Sequence, residues 1–345
     1  MKRTYPAIAC LILVMAQYAR SQEELSGYPF IVPADPRSFA MGESFTALPA
    51  NPSALLYNPA GLAGLSGIHL SYSQRSQIGD YHSTLRSFNA VVGTPFGVFG
   101  AQLNHDFYGV LPITISNDGL SPVSAYDYDI GIGYALGLGR GFSAGGAVKY
   151  YESRGLDVLP STDYFMWSGS TKASLYDIGL MYTFRRFHSQ EMVEDSITIG
   201  MSYQDIGSGK SSGTTSFNAA EFDIPEFAQY FRTGLSYALR VVPRRAGDAS
   251  PFQAVFSGEY RSGQSAGAMD AAGFGMEFTI DEILSVRAGG LYWSAVQGVH
   301  IRYGAGVRLP FRSLGFDLAV QGAVIPWYSL YAFSIDVQFP ACPWD

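Results

Sequence analysis

The stretch YDYDIGIGYALGL, Tyr126 to Leu138, constrains this chain more than any other. Its even positions are Tyr126, Tyr128, Ile130, Ile132, Tyr134, Leu136 and Leu138, and its odd positions are Asp127, Asp129, Gly131, Gly133, Ala135 and Gly137. Period two puts alternate side chains on opposite faces of a sheet, so one face is wholly apolar and the other acidic or minimal. A strand in a soluble sandwich runs about five or six residues. A strand that crosses a bilayer at a tilt needs about 9 to 11. The length and the two-faced chemistry therefore predict a membrane-spanning strand with lipid on one side and an aqueous lumen on the other.

The same register recurs. Tyr176, Ile178, Leu180 and Tyr182 alternate with Asp177, Gly179 and Met181, and Val299 to Leu309 alternates with His300, Arg302, Gly304, Gly306 and Arg308. Near the C-terminus Tyr331, Phe333, Ile335, Val337 and Phe339 alternate with Ala332, Ser334, Asp336 and Gln338. Between residues 67 and 339 there are about fourteen such segments, an even number as a single-chain bacterial barrel requires. Lipid offers no hydrogen-bond partner to an open sheet edge, so the sheet has to close. The expected fold class is all-β, a closed antiparallel transmembrane β-barrel of about 14 strands. Tight connections at 94–97, 137–141, 281–282 and 310–312 fall at one end, and longer ones at 108–122, 152–171 and 207–227 fall at the other. The first end is expected to face the periplasm and the second the cell exterior.

Composition agrees. The chain has 23 Tyr, 23 Phe and 39 Gly, while charged residues are 15%, against roughly 25% in soluble domains. A net charge of −7 argues against a nucleic-acid partner, which calls for a basic face. The N-terminus carries Lys2 and Arg3, an apolar run from Ala7 to Met15, and Ala19-Arg20-Ser21, the pattern of a secretory signal peptide over 1–21. Removing it takes away Cys10 and leaves Cys342, so the fold is expected to stand without an internal disulfide.

Residues 22–66 precede the first strand and lack the alternation. They are rich in Pro, Ala and Gly with scattered apolar groups, as in NPSALLYNPAGLAGL, Asn51 to Leu65. Asn58-Pro59 favours a turn, Ser53 is a candidate cap, and Gly61 permits close backbone approach. Wall side chains already fill a barrel of about eight strands, so fourteen leave a space for a plug or for water. The apolar groups favour an inserted plug over a periplasmic tail. The expected organisation is thus 1–21 signal peptide, 22–66 plug or hatch, 67–339 barrel and 340–345 C-terminal tail.

ADPRSFAMGESFTAL at 34–48, followed by NPSALLYNPAGLA at 51–63, resembles the N-terminal signature of PorV/PorQ-type outer-membrane proteins. That family is related to FadL-type transporters of hydrophobic compounds, which share an Asn-Pro-Ala element in an N-terminal hatch inside a fourteen-stranded barrel. The resemblance implies a hatch carrying Arg37, Met41, Gly42, Asn58, Pro59, Ala60 and Gly61. An enclosed Arg37 needs an acidic partner or carbonyls, for which Asp127, Asp129, Asp177, Asp317 and Asp336 on the lumen face are candidates. Arg287, Arg302 and Arg308 on the same face would hold the plug, steer polar head groups, or pair with the acidic strands. The chain departs from such barrels at its end, where Phe339 is followed by PACPWD rather than terminating on an aromatic residue.

Enzyme motifs fail on context. GFSAG at 141–145 has the nucleophile-elbow spacing but opens a strand instead of a strand-to-helix turn. GSGKSS at 207–212 has Gln204 where a phosphate loop needs its first Gly, and reads as a flexible outer loop. The five histidines, His69, His82, His105, His188 and His300, are scattered without zinc spacing. No catalytic residue, metal or cofactor is expected. The expected role is a bacterial outer-membrane channel surrounded by lipid and passing small, mainly hydrophobic solutes. The alternative is a component of a type IX-like secretion system, with the long loops contacting exported or secretion-system proteins.

Overall fold

A computed structural model of the chain describes residues 34–78, 83–111, 115–116, 119–120, 123–158, 166–188, 193–214, 219–224, 229–241, 251–264, 270–294, 298–309, 314–321 and 329–339. The expected signal peptide over 1–21, residues 22–33, His82 and the tail with Cys342 lie outside them.

Fourteen antiparallel strands form a closed barrel: β1 (Ile68–Ile78), β2 (Ser83–Thr94), β3 (Gly97–Leu111), β4 (Val123–Gly139), β5 (Phe142–Val158), β6 (Met166–His188), β7 (Val193–Thr214), β8 (Tyr230–Val241), β9 (Phe252–Gly263), β10 (Ala271–Ile280), β11 (Leu284–Trp293), β12 (Gly298–Arg308), β13 (Leu314–Gln321) and β14 (Ser329–Phe339). Each pairs with its neighbours in sequence, and β14 returns to β1 with Ile68 opposite Phe339. A short strand, Ala219–Ile224, pairs with the far end of β7. Ile115–Ser116 and Gly119–Leu120 form a small separate hairpin.

The alternation is realised side by side. Ile132 is 65% exposed while Asp129 is 5% exposed. Tyr176, Ile178, Leu180, Val299, Ile301, Tyr303, Phe333 and Ile335 also face outward and are exposed. This apolar outer surface is the opposite of a soluble protein's, and suits a hydrocarbon surround.

The long connections are shorter than the sequence suggests. β5, β6 and β7 run 17, 23 and 22 residues, so much of 152–171 and 207–227 is paired strand. GSGKSS belongs to β7, with Gly207 opposite Leu175 and Ser212 opposite Ser170, which corrects its reading as a flexible loop. Both faces there are polar or small, so no apolar alternation marks the strand, yet the hairpin ladder continues without it.

The barrel's interior is packed with the N-terminal segment. Helix α1 (Pro36–Ala40) begins on Asp35, whose carboxylate accepts from the backbone N–H of Arg37 and Ser38 at 3.2 and 3.3 Å. Two 3-10 turns follow, Pro52–Leu56 capped by Asn51 and Pro59–Gly64 capped by Asn58. Ser53 does not cap; its backbone N–H donates to Asn51 Oδ1 at 3.0 Å. All three elements share one device, an Asx side chain at the cap and Pro at the first helical position. The Asx satisfies a free N–H, and the Pro supplies a fixed φ where no donor is needed. Phe39, Met41, Leu55 and Leu62 of this segment are fully buried.

Candidate functional site

The inner wall meets the segment backbone to backbone. Gly133, Gly145, Gly179, Gly200, Gly273, Gly275, Gly289 and Gly304 line a track on which a side chain would collide with the segment. At Gly145 an added Cβ would lie 2.6 Å from Ala60 N, and at Gly275 it would lie 2.5 Å from Met41 O. Gly42 contributes from the segment side: its φ of +62° and the closeness of the Gly290 and Phe274 carbonyls both demand glycine.

Polar contacts fix the seat in three places. Near the short-turn end, Arg37 makes a bidentate pair with Glu277, Nε to Oε2 and Nη2 to Oε1 both at 2.8 Å. Arg287 donates to the same carboxylate at 2.6 Å and also to Asp317. Burial alone would lower the Arg37 pKa, but Glu277 outweighs it and the guanidinium is held more firmly charged. Asp35 is shifted upward, chiefly by burial and then by Asp317.

At the second of these, Glu43, 3% exposed, accepts from Arg302 at 2.7 Å and lies 3.6 Å from Arg261. Glu259 accepts the backbone N–H of Phe45 and Thr46, both at 2.9 Å, and pairs with Arg232 at 2.8 Å. Arg302 also stacks over Phe39, with its guanidinium carbon 4.2 Å from the ring centroid. Tyr57 packs beside Arg232, and its hydroxyl is held well above its usual pKa by burial and by Glu43.

Asn58, 1% exposed, anchors the segment against β5 and β6. Its amide donates to Thr46 O at 2.9 Å and to Leu180 O of the wall at 3.1 Å, while Oδ1 accepts from Ala60 N at 3.1 Å. Pro59, Ala60 and Gly61 follow as one buried turn, and Ser143 donates to Ala60 O at 3.2 Å. Ser143 is the serine of GFSAG, and it sits in the strand Phe142–Val158, so no strand-to-helix elbow follows it.

The acidic positions read as lumen-facing divide. Asp127, Asp129 and Asp177 are buried on the inner face, but none is the Arg37 partner. Asp129 accepts from Gln102 and Asn104, both at 2.8 Å. Asp177 pairs with Lys149 at 2.9 Å and accepts from Asp205 N at 2.9 Å. A bulge near Tyr176, with Asp205 at φ +61°, turns Asp205 inward to pair with Lys149 at 2.5 Å. Asp317 contacts Arg287, Asp336 accepts from Ser334 at 3.0 Å, and Arg308 is exposed at the end of β12. Glu43, Glu259 and Glu277 were missed. The last had a visible signal, because Gly273, Gly275 and Glu277 alternate with Phe274, Met276 and Phe278.

Between Leu56 and the wall lies a cavity of about 40 Å³ lined by Gln102, Asp129, Lys149, Tyr151, Arg232 and Arg261 among others. Its polarity and size suit a few waters. With the segment seated, this interior offers polar contacts more than an apolar pocket.

No protein-family model and no curated protein matches the sequence. Solved structures do match in fold. The toluene transporter TbuX of Ralstonia pickettii superposes with a TM-score of 0.50 at 13% identity, over 88% of this chain and 98% of that one. The P. putida toluene transporter TodX gives 0.50 at 12% identity, over 92% and 100%. Identities this low establish a shared barrel architecture. They leave the solute to be argued from the chain itself.

Proposed function

We propose that the chain is a FadL-type channel of the bacterial outer membrane, exported through a cleaved signal peptide over 1–21. Residues 22–66 plug its lumen, and small, mainly hydrophobic compounds cross it. The observation that carries the reading is the seat of the N-terminal segment: a wall relieved of side chains along a glycine track, with Glu277, Arg302 and Glu259 gripping Arg37, Glu43 and the Phe45–Thr46 backbone. A seat built residue by residue on both partners suits a gate more than a chance filling. The exposed aliphatic and aromatic outer surface supports placement in lipid. The architecture shared with structures described as toluene transporters favours an apolar solute.

The Arg37–Gly42 and Asn58–Gly61 runs support, within this proposal, a PorV/PorQ-type assignment. Passage requires the segment to shift, since its polar seat and the water-sized cavity do not form an apolar path. The test is uptake of a labelled fatty acid and a labelled monoaromatic hydrocarbon by cells with and without the chain. Faster uptake with the chain is expected. Equal uptake, together with recovery of exported proteins on the barrel after mild solubilisation, would replace this reading with the secretion role.

A further inference from the structure

The outer surface carries a feature that solute passage does not use. Arg86 on β2 lies opposite His105 on β3, His105 opposite Tyr128 on β4, Tyr128 opposite Glu152 on β5, and Glu152 opposite Lys172 on β6. These residues form one outward row across five adjacent strands, spanning about 20 Å at the usual strand spacing. Arg154 stands two residues further toward the long-connection end of β5, and Arg86, Arg154 and Lys172 are all exposed. Just inside the row, Phe88, Ile130 and Tyr150 begin the apolar band, with Ile130 50% exposed. The row therefore lies at the outer border of the apolar surface.

We propose that this row binds the phosphate groups of an anionic glycolipid of the outer leaflet. This inference rests on the outer-membrane placement proposed above and is independent of the solute. The carboxylate of Glu152 accepts from Tyr128 at 2.7 Å and Tyr150 at 3.0 Å and pairs with the Lys172 ammonium at 3.8 Å, which offsets one cation of the row. Lys210 on β7, exposed and opposite Lys172, continues the row and leaves a net of three positive charges. Arg86 has no carboxylate within ion-pair distance among the described residues. Two guanidinium forks match phosphate oxygens in a way a point charge does not, and the tyrosines are residues of the headgroup boundary. The distribution is one-sided. At the same height on β8 to β14, the described outward positions hold no Lys or Arg, because Arg232, Arg261, Arg287 and Arg302 are all buried on the inner face. A lipid satisfies the whole site, with acyl chains on Ile130 and its apolar neighbours and phosphates on the row. A dissolved anion would use only the row.

The test is native mass spectrometry of the full chain in detergent with equal amounts of bis-phosphorylated lipid A and its dephosphorylated form. A cation near an anionic headgroup contributes roughly fivefold, so a preference on the order of a hundredfold for the phosphorylated lipid is expected from a net of three. The triple variant Arg86→Gln/Arg154→Gln/Lys172→Gln should lose it. Equal binding of the two lipids to the unmodified chain overturns the proposal without reference to any variant. Displacement by millimolar inorganic phosphate also overturns it, in favour of a free-anion site. Insertion into phospholipid vesicles, read as heat-modifiable gel mobility, separates the two readings. A barrel that inserts but shows no lipid preference sinks this inference alone, and one that cannot insert sinks the membrane placement with it.

Discussion

Replacing Asn58 with Ala tests the seat at its most connected residue. The side chain makes three hydrogen bonds, to Thr46 O, Leu180 O and Ala60 N, and is almost fully buried. A net contribution of about 1 kcal/mol each gives about 3 kcal/mol lost, with three backbone groups left to find other partners. Only the bond to Leu180 O crosses from the segment to the wall, so about 1 kcal/mol falls directly on docking and the undocked population rises roughly fivefold, the other two bonds being lost from the segment's own fold. Planar-bilayer recording reads this directly, because an undocked segment opens the lumen to ions. Frequent large openings are expected in Asn58→Ala against rare ones in the unmodified chain. The wall side offers a matched perturbation: Gly179→Ala puts a methyl group onto Asn58 Oδ1 and 3.1 Å from Pro59 Cδ, whereas a Cβ at Gly137 meets nothing within 4 Å. Gly179→Ala should behave like Asn58→Ala, and Gly137→Ala like the parent. Unchanged records for both Asn58→Ala and Gly179→Ala would refute the docking argument.

Glu277→Gln leaves Arg37 and Arg287 facing a neutral amide in a buried site. A loss of about 3 to 5 kcal/mol is expected, seen as a lower temperature for loss of the compact band on unheated gels; an unshifted transition would contradict it. Ile132→Arg puts a charge on the outward face and should cost about 2 to 4 kcal/mol of folding in a bilayer, measured by urea titration, while a cost near zero would argue against lipid contact there. Asp35 holds its proton more tightly folded than its ordinary pKa of 3.8 allows. Its contribution therefore favours folding below that pH and is lost as pH rises through the folded value. Asp35→Asn keeps an acceptor for the α1 cap, so it should flatten the fall in stability above pH 4; a variant with the parent's slope would contradict the assignment.

The barrel was legible because alternation reports which medium each face meets. Tyr126 to Leu138 gives the answer within one strand, with Ile132 facing out and Asp129 facing in. The far ends of β5, β6 and β7 were not legible, because beyond the apolar band the strands lose the contrast between faces while keeping their ladder. The seat was legible only in part. The Asx-Pro pairs at 35–36, 51–52 and 58–59 mark local turns and are visible in the chain. Arg37 and Glu277 are 240 positions apart, and no local pattern links them. The glycines of the wall were visible as small lumen residues, but their use as a track appears only once the segment lies on them.

Flux through proteoliposomes tests the central claim most directly, with a small aromatic hydrocarbon and a polar solute of similar size, for the full chain and for a chain lacking residues 22–66. The full chain should pass the hydrocarbon above the empty-liposome rate and hold back the polar solute, and the shortened chain should pass both. Hydrocarbon flux no faster than in empty liposomes, or a shortened chain that still excludes the polar solute, would contradict a plugged channel for hydrophobic compounds.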